Sequence, residues 1–118
     1  MVNYKTYELD RTFAALTDPT RQAILARLEA EGAMTVGAIA KPLLIKLPAV
    51  LKHLGVLADA GLVTRTKSGR VVTVSLEARP MEPALQWLRR YERFWVTRLD
   101  HLARYAESKE AAARRKTK

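Results

Sequence analysis

Apolar residues recur at steps of three and four in the middle of the chain, and this spacing predicts a helix over residues 47–60 with one buried stripe. Pro48 suits the first turn of a helix, where its missing N–H would have had no partner. Gly61 suits the left-handed residue that follows a helix end. Lys52 and His53 lie off the stripe and are therefore predicted to face away from the core. The predicted stripe consists of Leu47, Val50, Leu54 and Leu57.

β-branched residues follow this helix and predict a β-hairpin. Residues 62–66 and 71–76 have the composition of strands, and residues 67–70 have the glycine and polar residues of a turn. The tip of the hairpin is predicted to carry Lys67 and Arg70. A helix that is buried on one face and basic on the other, beside a basic hairpin, is the arrangement of a DNA recognition helix with its wing.

The chain before the recognition helix divides into shorter helices. Its apolar residues predict a first helix over about residues 7–16. Asp18 has the properties of an N-cap and Pro19 those of a first helical residue, so a second helix is predicted to begin there. Thr35 is predicted to cap a short third helix, and residues 43–46 to form the turn of a helix-turn-helix. The predicted fold class is mainly α with a small β-hairpin, a winged helix-turn-helix.

A single long helix is predicted to begin at residues 79–80 and to carry a near-heptad apolar stripe that a small domain cannot cover alone. We interpret it as a dimerisation helix, so the protein is predicted to be a homodimer held by its first and last helices. The alternative interpretation of its aromatic residues is a pocket for a small apolar effector at the dimer seam. The candidate dimerisation residues are Leu9, Phe13, Leu85, Leu88, Tyr91, Trp95, Leu99 and Leu102.

The formal net charge of +9 is unevenly spread along the chain. Residues 32–76 carry six basic residues against Asp59 alone, a net charge of +5 in the segment that contains the predicted recognition helix and hairpin. This concentration of positive charge favours binding to the phosphates of double-stranded DNA. The alternative interpretation is a solvated basic surface that binds no partner. Residues 1–107 are predicted to form a DNA-binding and dimerisation domain, and residues 108–118 a flexible basic tail.

Several segments have a family resemblance. They are FAALTDPTRQAIL at residues 13–25, LPAV and KHL within residues 47–54, AGLV at residues 60–63, and the pairs RY and FW at residues 90–91 and 94–95. Over residues 7–107 the chain resembles the ArsR/SmtB family of winged helix-turn-helix transcriptional repressors, and within it the metal-independent, SdpR-like branch. The resemblance implies a homodimeric repressor that places two recognition helices in successive major grooves of a pseudo-palindromic operator.

The recognition helix and the wing supply the candidate DNA contacts. Lys52 and His53 are candidates for contact with bases or phosphates, although His53 has a second interpretation, in which it forms a hydrogen bond inside the motif and supports the helix. The basic residues of the hairpin are predicted to hold the DNA backbone or the minor groove. The full candidate set is Lys46, Pro48, Ala49, Leu51, Lys52, His53, Arg65, Lys67 and Arg70.

Two residues depart from the pattern Met-Ser-Leu-Pro-Ala-Val-Ser-Lys-His-Leu that the resemblance implies. Lys46 stands in place of the first serine and cannot accept the exposed N–H groups of the helix as an N-cap does. Leu51 stands in place of the second serine, which would face DNA. Leu51 either touches a thymine methyl group or marks a lost readout position. We therefore expect altered or weakened operator recognition.

No catalytic constellation, cofactor or metal site is predicted. The chain has no cysteine, which excludes disulfides and thiolate metal sites, and Asp100 and His101 are adjacent and so point about 100° apart on a helix. No apolar segment is long enough for a membrane span and no signal region is present, so the predicted location is the cytoplasm. Two other functions stay open: a sequence-tolerant architectural DNA-binding protein, and a winged-helix interaction module that has lost specific DNA readout.

Overall fold

The computed structural model describes residues 4–116, and the side chains of residues 8–115. Within this part of the chain the elements are α1 (Tyr4–Leu16), α2 (Pro19–Glu31), β1 (Met34–Thr35), α3 (Val36–Ala40), α4 (Leu47–Asp59), β2 (Val63–Ser68), β3 (Val71–Leu76), α5 (Met81–Arg89) and α6 (Glu92–Lys116). The mainly α fold with a β-hairpin is confirmed, and α3 and α4 form the helix-turn-helix. The two compact units of the chain are residues 1–84 and 85–118.

The predicted helix ends are confirmed at three places. The Asp18 carboxylate accepts a hydrogen bond from the backbone N–H of Arg21 (3.0 Å), and the Thr35 hydroxyl accepts one from the N–H of Ala38 (3.1 Å). Both bonds satisfy N–H groups that have no partner inside their own helix. Gly61 follows α4 with φ of +74°, the left-handed conformation expected after a helix end.

The sheet has three strands rather than the two of the predicted hairpin. Its order is β1-β3-β2, and β3 pairs antiparallel with both neighbours. β1 was not predicted because two residues are too short to show a period. The hairpin turn is also shorter than predicted: Lys67 and Ser68 belong to β2, and Gly69 and Arg70 alone connect the strands. A positive φ at Gly69 only (+61°) is typical of a type II′ turn, which matches the twist of paired strands.

The core of residues 1–84 lies between the helices and one face of the sheet. Its largest fully buried side chains are Ile24, Leu28, Ile39, Val50, Leu54, Leu57, Leu62 and Val74. They come from α2, α3, α4, β3 and the connection before β2, so one apolar cluster joins the helix-turn-helix to the hairpin. Burying a side chain of this size stabilises the fold by roughly 1.5–3 kcal/mol.

The prediction of a single long helix that begins at residues 79–80 is wrong, because this part of the chain forms two separate helices, α5 and α6. At the break, the N–H groups of Arg90 and Tyr91 bond to the carbonyls three residues earlier, Trp87 and Leu88. This tighter pattern ends an α-helix without any proline or glycine. α6 then continues across the domain boundary predicted at residue 107, so residues 108–116 are helical; the last two residues of the predicted tail lie outside the described residues.

Candidate nucleic-acid interface

Helix α4 has one face inside the core and one face open. Val50, Leu54 and Leu57 are 0% exposed, as predicted. Leu47 is 52% exposed, so its assignment to the buried stripe is wrong: it is the first residue of the helix, and the core covers the helix only from Val50 onwards. Leu51 is 47% exposed, so two apolar side chains lie on the open face.

The remaining candidate residues of α4 are arranged around that face. Pro48 and Lys52 are exposed, and Ala49 is half-buried. Lys46 precedes the first helical residue, and its side chain forms no capping hydrogen bond, as the sequence predicted. The helix therefore begins without a side-chain acceptor for its free N–H groups, at the end where the helix dipole favours negative charge.

His53 is held inside the motif by Arg21 of α2 and by Asp18, the N-cap of that helix. Its Nδ1 lies 3.2 Å from Nη1 of Arg21 and 3.7 Å from a carboxylate oxygen of Asp18. Because a guanidinium group can only donate, Nδ1 accepts this hydrogen bond when the ring is neutral, and Nε2 then carries the ring proton. The side chain is 21% exposed. This geometry favours the supporting role for His53 that the sequence had left open.

Arg21 was missed by the sequence reasoning. Its Nε donates to the carbonyl of Ala15 (2.8 Å) and its Nη2 to that of Ala14 (3.1 Å), besides the bond to His53. It thus satisfies carbonyls at the end of α1 from the first turn of α2, and reaches α4 as well. The sequence contained a sign of this role: Arg21 is a positive charge in the first turn of a helix, where it opposes the helix dipole. An arginine at such a position is explained by contacts outside its own helix.

The C-terminal end of α4 is attached to α1. Nη1 of Arg11 donates to the backbone carbonyl of Asp59, the last residue of α4 (3.3 Å). A cation at this end complements the negative end of the helix dipole. Helix α4 is therefore fixed by its buried stripe, by Arg21 at its middle and by Arg11 at its C-terminal end, which leaves the open face in a defined orientation.

Asp18 titrates at lower pH than an ordinary aspartate. The hydrogen bond from the backbone N–H of Arg21 is the main cause, and it holds the pKa of Asp18 below its usual 3.8. Desolvation acts in the opposite direction, and the charges of His53 and Arg21 lower the pKa further. The carboxylate is therefore ionised at neutral pH, where it caps α2 and faces the His53 ring.

The wing carries its basic residues on an exposed ribbon. Arg65 and Lys67 pair with Val74 and Val72 across the hairpin, so both lie on the face of the sheet that carries the buried Val74. Both are nevertheless exposed, because the hairpin extends beyond the core, and Arg70 is exposed in the turn. On the other face the hydroxyls of Thr64 and Ser75 share a hydrogen bond of 2.7 Å. Because β2 packs beside α4, the ribbon belongs to the same folded unit as the helix.

The arrangement of this unit matches known bacterial regulators. Residues 16–66 match a family described as a helix-turn-helix domain. The HTH-type transcriptional regulator Rv2034 of Mycobacterium tuberculosis is 36% identical over 99 residues, which cover 84% of this chain and 89% of Rv2034. The transcriptional repressor SdpR of Bacillus subtilis is 31% identical over 80 residues, which cover 68% of this chain and 88% of SdpR. The crystal structure of an ArsR family transcriptional regulator, RHA00566, matches with a TM-score of 0.72 at 39% identity, covering 80% of this chain and 96% of that one.

This chain belongs to the ArsR family. The resemblance predicted from the sequence is thereby confirmed, including the likeness to SdpR. As an ArsR family member the protein is a DNA-binding transcriptional regulator with a winged helix-turn-helix fold.

In this ArsR family member the second unit, residues 85–118, exposes a large apolar surface. Every side chain described from Leu85 to Arg115 is exposed. Leu88, Trp87, Tyr91, Phe94 and Trp95 line an open cavity of about 850 Å³ together with Arg93, Thr97 and Arg98. The predicted dimerisation residues of this unit are all exposed: Leu85, Leu88, Tyr91, Trp95, Leu99 and Leu102. In the first unit, Leu9 and Phe13 are half-buried on α1.

Among the described side chains of this ArsR protein, no group of three or more histidine, aspartate or glutamate residues could hold a metal ion. None of the described helices is both long and apolar enough to cross a membrane.

Proposed function

We propose that the protein is a homodimeric repressor that reads a pseudo-palindromic operator with α4 and contacts flanking DNA with its basic wing. The observation that carries the proposal is the open face of α4. It presents Lys52 to solvent, while the buried stripe and the contacts of Arg11 and Arg21 with α4 fix the helix in place. A recognition helix needs this rigidity, because base contacts are effective only when the helix holds one orientation in the major groove.

Dimerisation is supported by the apolar surface of residues 85–118. Monomers rarely expose contiguous apolar patches of more than a few hundred Å², and this surface includes two tryptophans and a phenylalanine. A two-fold mate would cover it, and the dimer is proposed to bind half-sites roughly 34–36 Å apart, one turn of the double helix. Leu9 and Phe13 are proposed to contribute from α1.

Repression is proposed because SdpR is named a transcriptional repressor. The protein is proposed to act in the cytoplasm, where bacterial DNA lies, and to have no enzymatic activity. Specificity is tested by mapping the bound fragments across the genome, starting with the promoter of its own gene, and by measuring affinity for the best fragment and for random DNA at one salt concentration.

Each competing function gives a different result in that experiment. Specific binding that lowers transcription from the bound promoter supports the proposal. Salt-dependent binding with equal affinity for all sequences indicates an architectural DNA-binding protein. Absence of salt-dependent DNA binding indicates an interaction module.

A small apolar effector is proposed for the aromatic cavity of residues 85–118, whose volume of about 850 Å³ lies within the usual range of ligand sites. Trp87 and Trp95 line this cavity, so tryptophan fluorescence reports its occupation. A compound that quenches this emission and also releases DNA would support an effector role. If no compound in a screen of apolar molecules both quenches the emission and releases DNA, the effector role is wrong and dimerisation is the remaining role of this surface.

A further inference from the structure

The open face of α4 is unusually poor in hydrogen-bonding groups for a surface that reads DNA. From Leu47 to Leu51 the side chains are leucine, proline, alanine, valine and leucine, and none of them has a donor or an acceptor. Val50 is buried, whereas Leu47 and Leu51 are about half exposed. The first polar side chain on the open face of the helix is Lys52, in its second turn.

Leu47 and Leu51 form one apolar patch. They are four residues apart in the same helix, so their side chains lie on the same side with Cβ atoms about 5–6 Å apart. Base pairs follow each other every 3.4 Å or so along the double helix. The two leucines therefore span about two base-pair steps when the helix lies along a major groove.

The surroundings of the patch indicate that its partner is DNA rather than an apolar protein surface. Lys41, Lys46 and Lys52 surround it along the chain, and residues 32–58 contain no acidic residue. A polyanion therefore matches the charge of this surface. Within the major groove, thymine alone among the four bases presents a methyl group, at C5.

We propose that Leu47 and Leu51 are specificity-determining residues that read thymine methyl groups, so that each operator half-site carries thymines about two base-pair steps apart under α4. The inference rests on the proposed function, because it requires a preferred DNA sequence. Of the two alternatives for Leu51, it selects contact with a thymine methyl group over loss of base readout at that position. It also assigns a base contact to Leu47, which the sequence pattern predicts to be in the core.

The test begins with the wild-type protein and DNA selected from a pool of random duplexes. Thymines of the selected half-site are replaced one at a time by uracil, which keeps the base pairing and removes only the C5 methyl group. Loss of one buried methyl group weakens binding by about fourfold. We expect this loss at two half-site positions and no change when thymines outside the half-sites are replaced.

Variant proteins connect the effect to the two leucines. Leu51→Ala should bind the selected site more weakly and lose its sensitivity to uracil at one of the two positions, and Leu47→Ala should do the same at the other. Leu44→Ala is the matched control, since Leu44 is a fully exposed leucine in the turn before the helix. It should keep the full response to uracil at both positions. Circular dichroism checks that each variant is folded.

The outcomes separate this inference from the proposed function. A preferred site that binds equally well with thymine or uracil overturns the inference and leaves the proposed function intact. Absence of any preferred sequence overturns both. If Leu51→Ala changes the molar mass of the protein in solution but not its response to uracil, the patch contacts another protein molecule and the inference is wrong.

Discussion

At the scale of single residues, Arg21 joins three helices through one guanidinium group. It starts in α2, bonds to two carbonyls at the end of α1, and reaches His53 on α4. The bonds to Ala15 and His53 are partly shielded from water, so loss of Arg21 leaves those two acceptors poorly solvated. Arg21 thus connects the packing of the first two helices to the position of the recognition helix.

Replacement of Arg21 by methionine keeps the apolar stem and removes all donors. We expect Arg21→Met to lower the free energy of unfolding by about 1–3 kcal/mol, because the Ala14, Ala15 and His53 acceptors lose their partner. Urea unfolding of Arg21→Met, His53→Ala and the double variant measures the coupling, which we expect to be about 0.5 kcal/mol or more. Additive effects of the two changes would show that the contact with His53 does not contribute.

The lowered pKa of Asp18 predicts a stability difference that depends on pH. The folded state holds the carboxylate more strongly ionised than the unfolded state, whose pKa is near 3.8. This contribution is therefore complete above about pH 5 and is lost as the pH falls through 3.8 towards the lower pKa of the folded state. Asp18→Asn retains a capping oxygen without the charge. We expect the variant to melt at a lower temperature at pH 7, and the gap to narrow below pH 4. A constant gap at both pH values would contradict the assignment.

At the scale of elements, α4 combines a well-packed buried face with a poorly capped beginning. Lys46 occupies the N-cap position without a capping bond. We expect Lys46→Ser to raise the free energy of unfolding by roughly 0.5–2 kcal/mol, since serine accepts a hydrogen bond from the first turn. Lys46→Ala is the control that removes the charge without adding an acceptor. If thermal unfolding shows that Lys46→Ala is as stable as Lys46→Ser, any increase in stability comes from removal of the charge and not from a capping hydrogen bond.

The wing is the second element with a separable role. We expect Lys67→Ala and Arg70→Ala to weaken binding to all DNA sequences alike. Each should also make the slope of log affinity against log salt concentration shallower by about two, because each of the two wings of the proposed dimer neutralises one phosphate fewer. Arg79→Ala, which removes an exposed arginine after β3, serves as the control. An unchanged slope for Arg70→Ala would show that the turn does not bind phosphate.

The sequence predicted those elements whose signals are local. The apolar period of α4, the caps Asp18 and Thr35, and the glycine after α4 were all found because each depends on residues within one or two turns. β1 and the contacts of Arg21 were not found, because they depend on segments distant in the chain. The exposure of Leu47 could not be predicted, because its spacing fits the apolar stripe. Its burial depends on whether the core extends to the first residue of α4, and the core covers the helix only from Val50 onwards.

At the scale of the whole molecule, the apolar surface of residues 85–118 predicts self-association. The chain has a mass of 13.3 kDa, and we expect light scattering at micromolar concentration to give twice that value. Leu99→Lys should shift the protein towards the monomer, because a charge in the interface must be desolvated. Ser108→Lys is the matched control, since Ser108 is exposed and lies nine residues further along α6, on the opposite side of the helix. A wild-type monomer would contradict the proposed dimer and its half-site spacing.

The division of α4 into a buried face and an open face has an evolutionary consequence. Val50, Leu54 and Leu57 hold the fold, whereas Leu47, Leu51 and Lys52 are exposed. Exposed positions away from packing contacts usually tolerate substitution at little cost in stability. After a gene duplication, the two copies could therefore diverge in the promoters they control while each continued to fold normally. Exchange of these exposed residues between paralogues offers a simple route to regulators with new targets.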